Sequence, residues 1–403
     1  MTVYEYLVIV EQQIRQKSVS AEIIGELKQH VEDQAEAFCG EGMDPALAIE
    51  RAVEEMGDPV ETGIQLDQVH QPHPDVKLLM VLAGIDLAVT VLQLVVLGGE
   101  AFNAGQMIWK GTGLWMMFIL ALTKYNDDFR KYPLILWLVF LGVGGGVALA
   151  EERITGGGQS FALSMQAALN LSLMGFAGVT FKKRGGGPGD LAKLLAVGGT
   201  ACILSLTTHS YSYTTLLVLA HVTILTVAVR RNWYRIDQRK TLRLLWILPG
   251  LLLLGSVPGI VGGILDGRYR QQIIAYGQTQ DLPGLFLRSF GKGGVILLLF
   301  WVLLLCLIVL WFVRDVRRIT NQFCNIMCIG ILLGMGIAAV NSCLAILGYA
   351  DLSEVYFPFV SAARFQNSSY IYFYYWGAGI FLHLYRNDRV IPRTKMWTRN
   401  HIL

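Results

Sequence analysis

Ten apolar stretches, each long enough to cross a bilayer, follow an acidic head of about 72 residues. They lie at 77–98, 106–123, 132–150, 160–181, 191–208, 212–229, 244–264, 293–313, 322–347 and 369–385. Each is close to the ~20 helical residues that a ~30 Å hydrocarbon layer demands. In lipid every backbone N–H and C=O needs an internal partner, and these runs are too long and too apolar for barrel strands. The expected fold is therefore all-α: a polytopic bundle of ten transmembrane helices over 73–403, behind a small helical domain over 1–72.

Lysine and arginine in the short connections set the expected orientation. One side carries Lys124, Arg130 and Lys131, then Lys182, Lys183 and Arg184, then Arg230, Arg231, Arg235, Arg239, Lys240 and Arg243. The same side carries Arg314, Arg317 and Arg318 and the basic tail after Tyr385. The other side holds Arg153, Arg364 and a long loop, 265–292, with Arg268, Arg270, Arg288 and Lys292. An even number of spans with this bias puts both termini in the cytoplasm of a plasma-membrane protein and the 265–292 loop outside.

The net charge of +3 conceals two regions of opposite sign. Residues 1–72 hold 15 of the 30 acidic residues but four of the 33 basic ones, a formal charge of −11 that leaves +14 for the remainder. An acidic head argues against nucleic acid as a partner, and the basic loops fit beside the inner leaflet of the bilayer. The six cysteines form no disulfide framework, because Cys39 lies in the head and the others in apolar stretches. Cys324 and Cys328 share a helix face and are expected to be packed. His70 and His73 flank a proline-rich linker, 71–74, without a third ligand nearby, so no metal or cofactor is expected.

The head is punctuated as helices. Ser20 is placed to cap a helix over 21–38 ended by Gly40 and Gly42; Asp44-Pro45 and Asp58-Pro59 each pair an N-cap with a proline at N1. Ile23, Ile24, Leu27, Val31, Leu47, Ile49, Val53 and Met56 supply its expected core. Glu26-Leu27 with His30, then Gly42-Met43-Asp44, Ala48, Ala52-Val53 and Met56-Gly57-Asp58-Pro59, resembles the permease prefix domain placed ahead of several bacterial membrane proteins. The resemblance implies a regulatory or interaction module.

Phe357-Pro358-Phe359-Val360-Ser361, followed by Asn367-Ser368-Ser369, stands before the last stretch. That stretch leaves through Leu384-Tyr385-Arg386-Asn387-Asp388-Arg389, and 325–348 is rich in small residues at Gly330, Gly334 and Gly336, with Asn341. In this order the three segments resemble the FtsW/RodA/SpoVE (SEDS) cell-cycle family. The chain departs from it at Thr207-Thr208-His209-Ser210-Tyr211, where the family has Pro-Asp-Leu-Gly-Thr, and at Ala362-Ala363-Arg364, where it has Tyr-Gly-Gly. The resemblance implies a part in peptidoglycan assembly during division, shape maintenance or sporulation. Two roles fit it: a glycosyltransferase polymerising lipid II, or a non-catalytic partner of a penicillin-binding transpeptidase or other division protein.

Polymerisation needs an outward carboxylate as general base and cations for the departing pyrophosphate. Asp281 is the candidate acid, with Asp266 as alternate, while Arg268, Arg270, Arg288, Lys292 and Ser361 are the candidate substrate contacts. Asp86, mid-way along the first stretch, costs about 2.5–3.5 kcal/mol on insertion scales unless buried or paired. His221 is a candidate partner for it, and Lys110, at a span's edge, is expected to snorkel. An ion or proton path through Asp86 would instead mark a transporter or a permease accessory protein. Gly144–Gly146 is expected to serve helix packing, the Gly185–Gly189 run a flexible turn, and the aromatic run 370–376 an interfacial belt.

Overall fold

Thr2 opens the first helix, α1 (Val3–Gln13), with a capping box. Glu5 N donates to Thr2 Oγ1 at 3.2 Å, and the Glu5 carboxylate accepts from Thr2 N at 2.9 Å. Hydrogen bonding from the Thr2 backbone N–H, then from its hydroxyl, holds the Glu5 carboxyl below its ordinary range. Three more helices follow: α2 (Lys17–Gly40), α3 (Pro45–Glu55) and α4 (Pro59–His70). Asp44 accepts from Ala46 N at 2.9 Å and Asp58 from Val60 N at 2.7 Å, each just ahead of a proline that needs no donor. Gly42 and Gly57 end the preceding helices at φ of +95° and +76°, where a Cβ would be strained. The structure is a computed structural model that describes residues 1–14, 17–70, 76–97, 104–123, 131–155, 158–266, 321–346 and 370–386, with single positions between 271 and 349.

The chain divides into two compact units, the first being Met1–His73 and the second Pro74–Asp388. In the first, Tyr6, Val10 and Ile14 of the α1 region pack with Ile23, Leu27 and Val31 of α2 and Ala52 and Val53 of α3. Leu47 and Ile49, expected in this core, are 58% and 46% exposed. The helix turns Ala48, Ala52 and Val53 inward, and that face leaves the two larger residues outside. Ser20 is also corrected: α2 starts three residues earlier, and the Ser20 hydroxyl donates to Glu11 Oε1 at 3.1 Å, linking α2 to α1. The expected linker at 71–74 lies outside the described residues.

The second unit comprises α5 (Val76–Leu97), α6 (Ala104–Leu122), α7 (Pro133–Thr155), α8 (Gly158–Lys182), α9 (Pro188–Ser205), α10 (Tyr211–Arg230), α11 (Gln238–Leu265), α12 (Gln322–Ile346) and α13 (Tyr370–Arg386). No strand occurs among the described residues. Six of these helices, α7 to α12, are long and apolar enough to cross a membrane, so the unit is a helical membrane bundle. The stretch at 293–313 lies outside the described residues except at a few positions.

Helix α8 is the axis. Its apolar window is 94% buried against 11% for α11, and α7, α9, α10, α12 and α13 all pack on it. Small residues set the spacing. A Cβ on Gly330 would lie 2.7 Å from Leu173 O, and one on Gly334 2.6 Å from Asn170 O, so α12 approaches the α8 backbone at two glycines four residues apart. Gly144 meets Ala168 in the same way between α7 and α8.

The Gly185–Gly189 run is a bonded junction instead of a flexible turn. Gly185, at φ +80°, donates to Trp233 O at 2.7 Å, and Arg235 N donates to Gly186 O at 2.9 Å. Beside it the Tyr234 hydroxyl donates to Thr180 O at 2.8 Å, and burial followed by the nearby Asp190 charge raises its pKa.

In the first unit the Tyr6 hydroxyl donates to Met56 O and Thr62 Oγ1, both at 3.1 Å. Tyr6→Phe should lower the stability of a 1–73 fragment by about 0.5–1.5 kcal/mol in urea unfolding. Burial raises the Tyr6 pKa from 10.0, so the folded state holds the phenolic proton more tightly than the unfolded chain. The wild-type fragment should therefore lose stability as pH rises above about 10, and Tyr6→Phe should remove that part of the loss. Equal alkaline sensitivity in both would contradict the assignment.

Candidate functional site

A carboxylate inside an apolar helix must find its partners within the bundle. Asp86 of α5 is 5% exposed, and its carboxylate finds two. Lys110 of α6 places Nζ 3.4 Å from Asp86 Oδ1, and both side chains are nearly buried, at 11% and 8% exposure. The Tyr375 hydroxyl of α13 donates to the same Asp86 oxygen. Thr90, one turn along α5, donates to Asp86 O at 2.8 Å and accepts from Lys110 Nζ at 3.3 Å. The lysine charge is thus met by a carboxylate and a hydroxyl, and the carboxylate by an ammonium and a phenol.

The helices come close enough for this because of two glycines. A Cβ on Gly113, three residues past Lys110, would lie 2.8 Å from the Tyr375 ring. A Cβ on Gly379 would meet Met117 Cα and Leu120 Cβ at 2.9 Å. Lys110 therefore does not snorkel to an edge: α6 carries it inward, where the Asp86 charge holds it. Nor is His221 the partner of Asp86.

His221 lies on α10 against α8 and α9. Its Nδ1 is 2.9 Å from Leu217 O, which can only accept, so Nδ1 carries the proton. Its ring stands edge-on to Phe176 at 4.7 Å, and Cys202 Sγ is 4.0 Å from Nδ1. Nε2 is buried without a hydrogen-bond partner among the described residues.

A second polar layer shares α13 with the first. Asn170 of α8 donates to the Tyr374 hydroxyl at 3.2 Å and accepts from the Tyr213 hydroxyl at 3.1 Å. Tyr213 also reaches Gln166 O at 2.9 Å, and Ser212 donates to Asn341 Oδ1 at 2.6 Å. Consecutive tyrosines thus address different neighbours: Tyr374 faces α8 and Tyr375 faces α5 and α6. Of the aromatic run expected as an interfacial belt, Phe373, Tyr374 and Tyr375 are turned inward, at 3%, 7% and 1% exposure. Hydroxyls at the ends of rigid rings can bridge helices that backbones cannot bring closer.

Arg268, Arg270, Asp281, Arg288, Lys292 and Ser361 lie outside the described residues. Asp266 sits one residue beyond α11, its N–H bonded to Gly262 O at 2.9 Å. Among the described residues no group of three or more His, Cys, Asp and Glu side chains is placed to hold a metal ion. The chain matches no family model, no curated protein and no solved structure.

The missed residues were Lys110 and Tyr375. A lysine 24 residues after Asp86, across one helix connection, is the signal that pairs them. Lys110→Met leaves Asp86 without its counter-ion and should cost about 3–5 kcal/mol. Tyr375→Phe removes a single hydrogen bond to a charged group and should cost about 1.5–3 kcal/mol. Unfolding of purified protein in detergent checks the order, and a larger loss from Tyr375→Phe would contradict it.

Proposed function

We propose that this chain is a SEDS-like integral membrane protein of bacterial cell-wall assembly, with ten spans, both termini in the cytoplasm and the acidic head on the cytoplasmic face. It serves peptidoglycan synthesis in division, cell shape or sporulation as a non-catalytic partner of a synthase such as a penicillin-binding transpeptidase. The reading is supported by the order of helices α5–α13, which fall on nine of the ten expected stretches, 293–313 lying outside the described residues except at a few positions, and by the glycines of α12, the segment that resembles the family's ninth span. The degraded motifs at 207–211 and 362–364 favour the partner role over turnover. Asp86 also favours it over the transporter reading, because its charge is met by Lys110 and Tyr375 of the chain itself.

A second reading, lipid II polymerisation, rests on Asp281 with Arg288 and Lys292 following it in one loop. Asp281 would be the general base, Arg268, Arg270, Arg288 and Lys292 the contacts for pyrophosphate, and Ser361 a contact for the lipid-linked sugar. The two readings separate in one experiment. Purified protein is given lipid II with and without its synthase, and Asp281→Asn is compared with wild type. A catalytic chain loses about a hundred- to ten-thousand-fold in rate on this change. The partner role predicts no polymer from the chain alone and full synthase binding by Asp281→Asn.

The topology is tested by itself. In a cysteine-free chain, Gly277→Cys should react with a membrane-impermeant maleimide on intact cells. Reaction only after permeabilisation would contradict the orientation.

A further inference from the structure

Between α10 and α12 runs a groove of about 740 Å³, within the size range of ~300–1,000 Å³ that ligand sites occupy. From α10 it is lined by a stripe at Leu216, Ala220, Thr223 and Val227, and from α12 by Ile329, Leu333, Gly336 and Val340. The spacing puts each set on one helix face. At Gly336 the groove is open, since a Cβ built there meets nothing within 4 Å.

One end of the groove is charged. Arg231, the residue that caps the end of α10, lines it together with Asn325 near the start of α12. Arg231 Nη2 donates to Asn325 Oδ1 at 2.6 Å, and Asn325 Nδ2 donates to Val316 O at 2.6 Å, so the guanidinium is held in place. Its Cζ also lies 5.7 Å from the centroid of the Trp233 ring. Among the described residues no carboxylate pairs with Arg231. Partial burial lowers its pKa, yet a guanidinium remains charged and retains donors beyond the one given to Asn325. Arg184, bonded to Gln322 Oε1 at 3.3 Å, adds a second cation at the same end of α12.

An apolar trough between two membrane helices, closed at one end by a guanidinium that Asn325 holds in place and that no described carboxylate pairs, has the charge and shape of a site for a lipid whose head is an anion. We propose that the α10–α12 groove binds an anionic glycerophospholipid, one acyl chain lying along Gly336 and the phosphate accepting from Arg231. The lipid comes from the leaflet beside the 230–243 basic connection. The site is independent of the chemistry assigned to the 265–292 loop.

The test is native mass spectrometry of the purified full-length protein titrated with phosphatidylglycerol or phosphatidylcholine of identical acyl chains. Wild type should retain phosphatidylglycerol about tenfold better, as one charge-assisted contact allows. Arg231→Gln should abolish that preference and leave phosphatidylcholine retention unchanged. Gly336→Phe should fill the trough and reduce both, and Gly336→Leu supplies a smaller plug if the phenylalanine variant does not fold. Equal retention of the two lipids by wild type, a preference that survives Arg231→Gln, or full retention in a folded plug variant would overturn the proposal. A protein mass bound in place of lipid would overturn it too.

Discussion

The bundle depends on the neutralisation of one buried carboxylate. Asp86 is almost fully buried, so its charge has to be met by groups the chain supplies, and these come from two other helices: Lys110 from α6 and Tyr375 from α13. Burying an ion pair gains little net stability over an apolar core, because desolvation offsets most of the attraction. It does make wrong arrangements expensive, since any register that separates Asp86 from Lys110 leaves two unpaired charges in a medium that cannot solvate them. The cluster therefore fixes which helices are neighbours. Apolar packing, indifferent to rotation in lipid, does this poorly.

The other polar and small residues serve the same end. Tyr374 carries the constraint from α13 to α8 through Asn170, and Tyr213 carries it on to α10. Gly330 and Gly334 let α12 lie against α8, while Gly113 and Gly379 let α13 lie against α6. A methyl at any of the four would meet backbone or ring at under 3 Å. The contrast is the α10–α12 face at Gly336, where a Cβ would meet nothing and an apolar space lies along the two helices.

Much of this was legible in the sequence. The length and hydropathy of the stretches locate α5–α13, because in lipid a long apolar run has almost no alternative to a helix. Asp-Pro pairs located the starts of α3 and α4 for an equally local reason. What failed was rotational. Leu47 and Ile49 are hydrophobic, but the inward face of α3 belongs to smaller residues; Lys110 is near a helix end, but α6 turns it toward Asp86; aromatic residues at a span entry suit a belt, but α13 is enclosed. Which side of a helix faces its neighbours depends on tertiary packing, and that is set by residues far away in the chain. The capping box at Thr2 and Glu5 with Tyr6 and Val10 following was a local signal, and it would have added α1 to the head's core.

The claim that the Asp86–Lys110 pair dictates the assembly of α5, α6 and α13 is tested most directly by exchanging the charges. Asp86→Lys alone and Lys110→Asp alone each place like charges together in the core. The exchange Asp86→Lys with Lys110→Asp restores opposite charges at the same two positions. The yield of folded, monodisperse protein from membranes should collapse for either single variant and recover substantially in the double. Single variants that accumulate like wild type, or a double variant no better than the worse single, would contradict it.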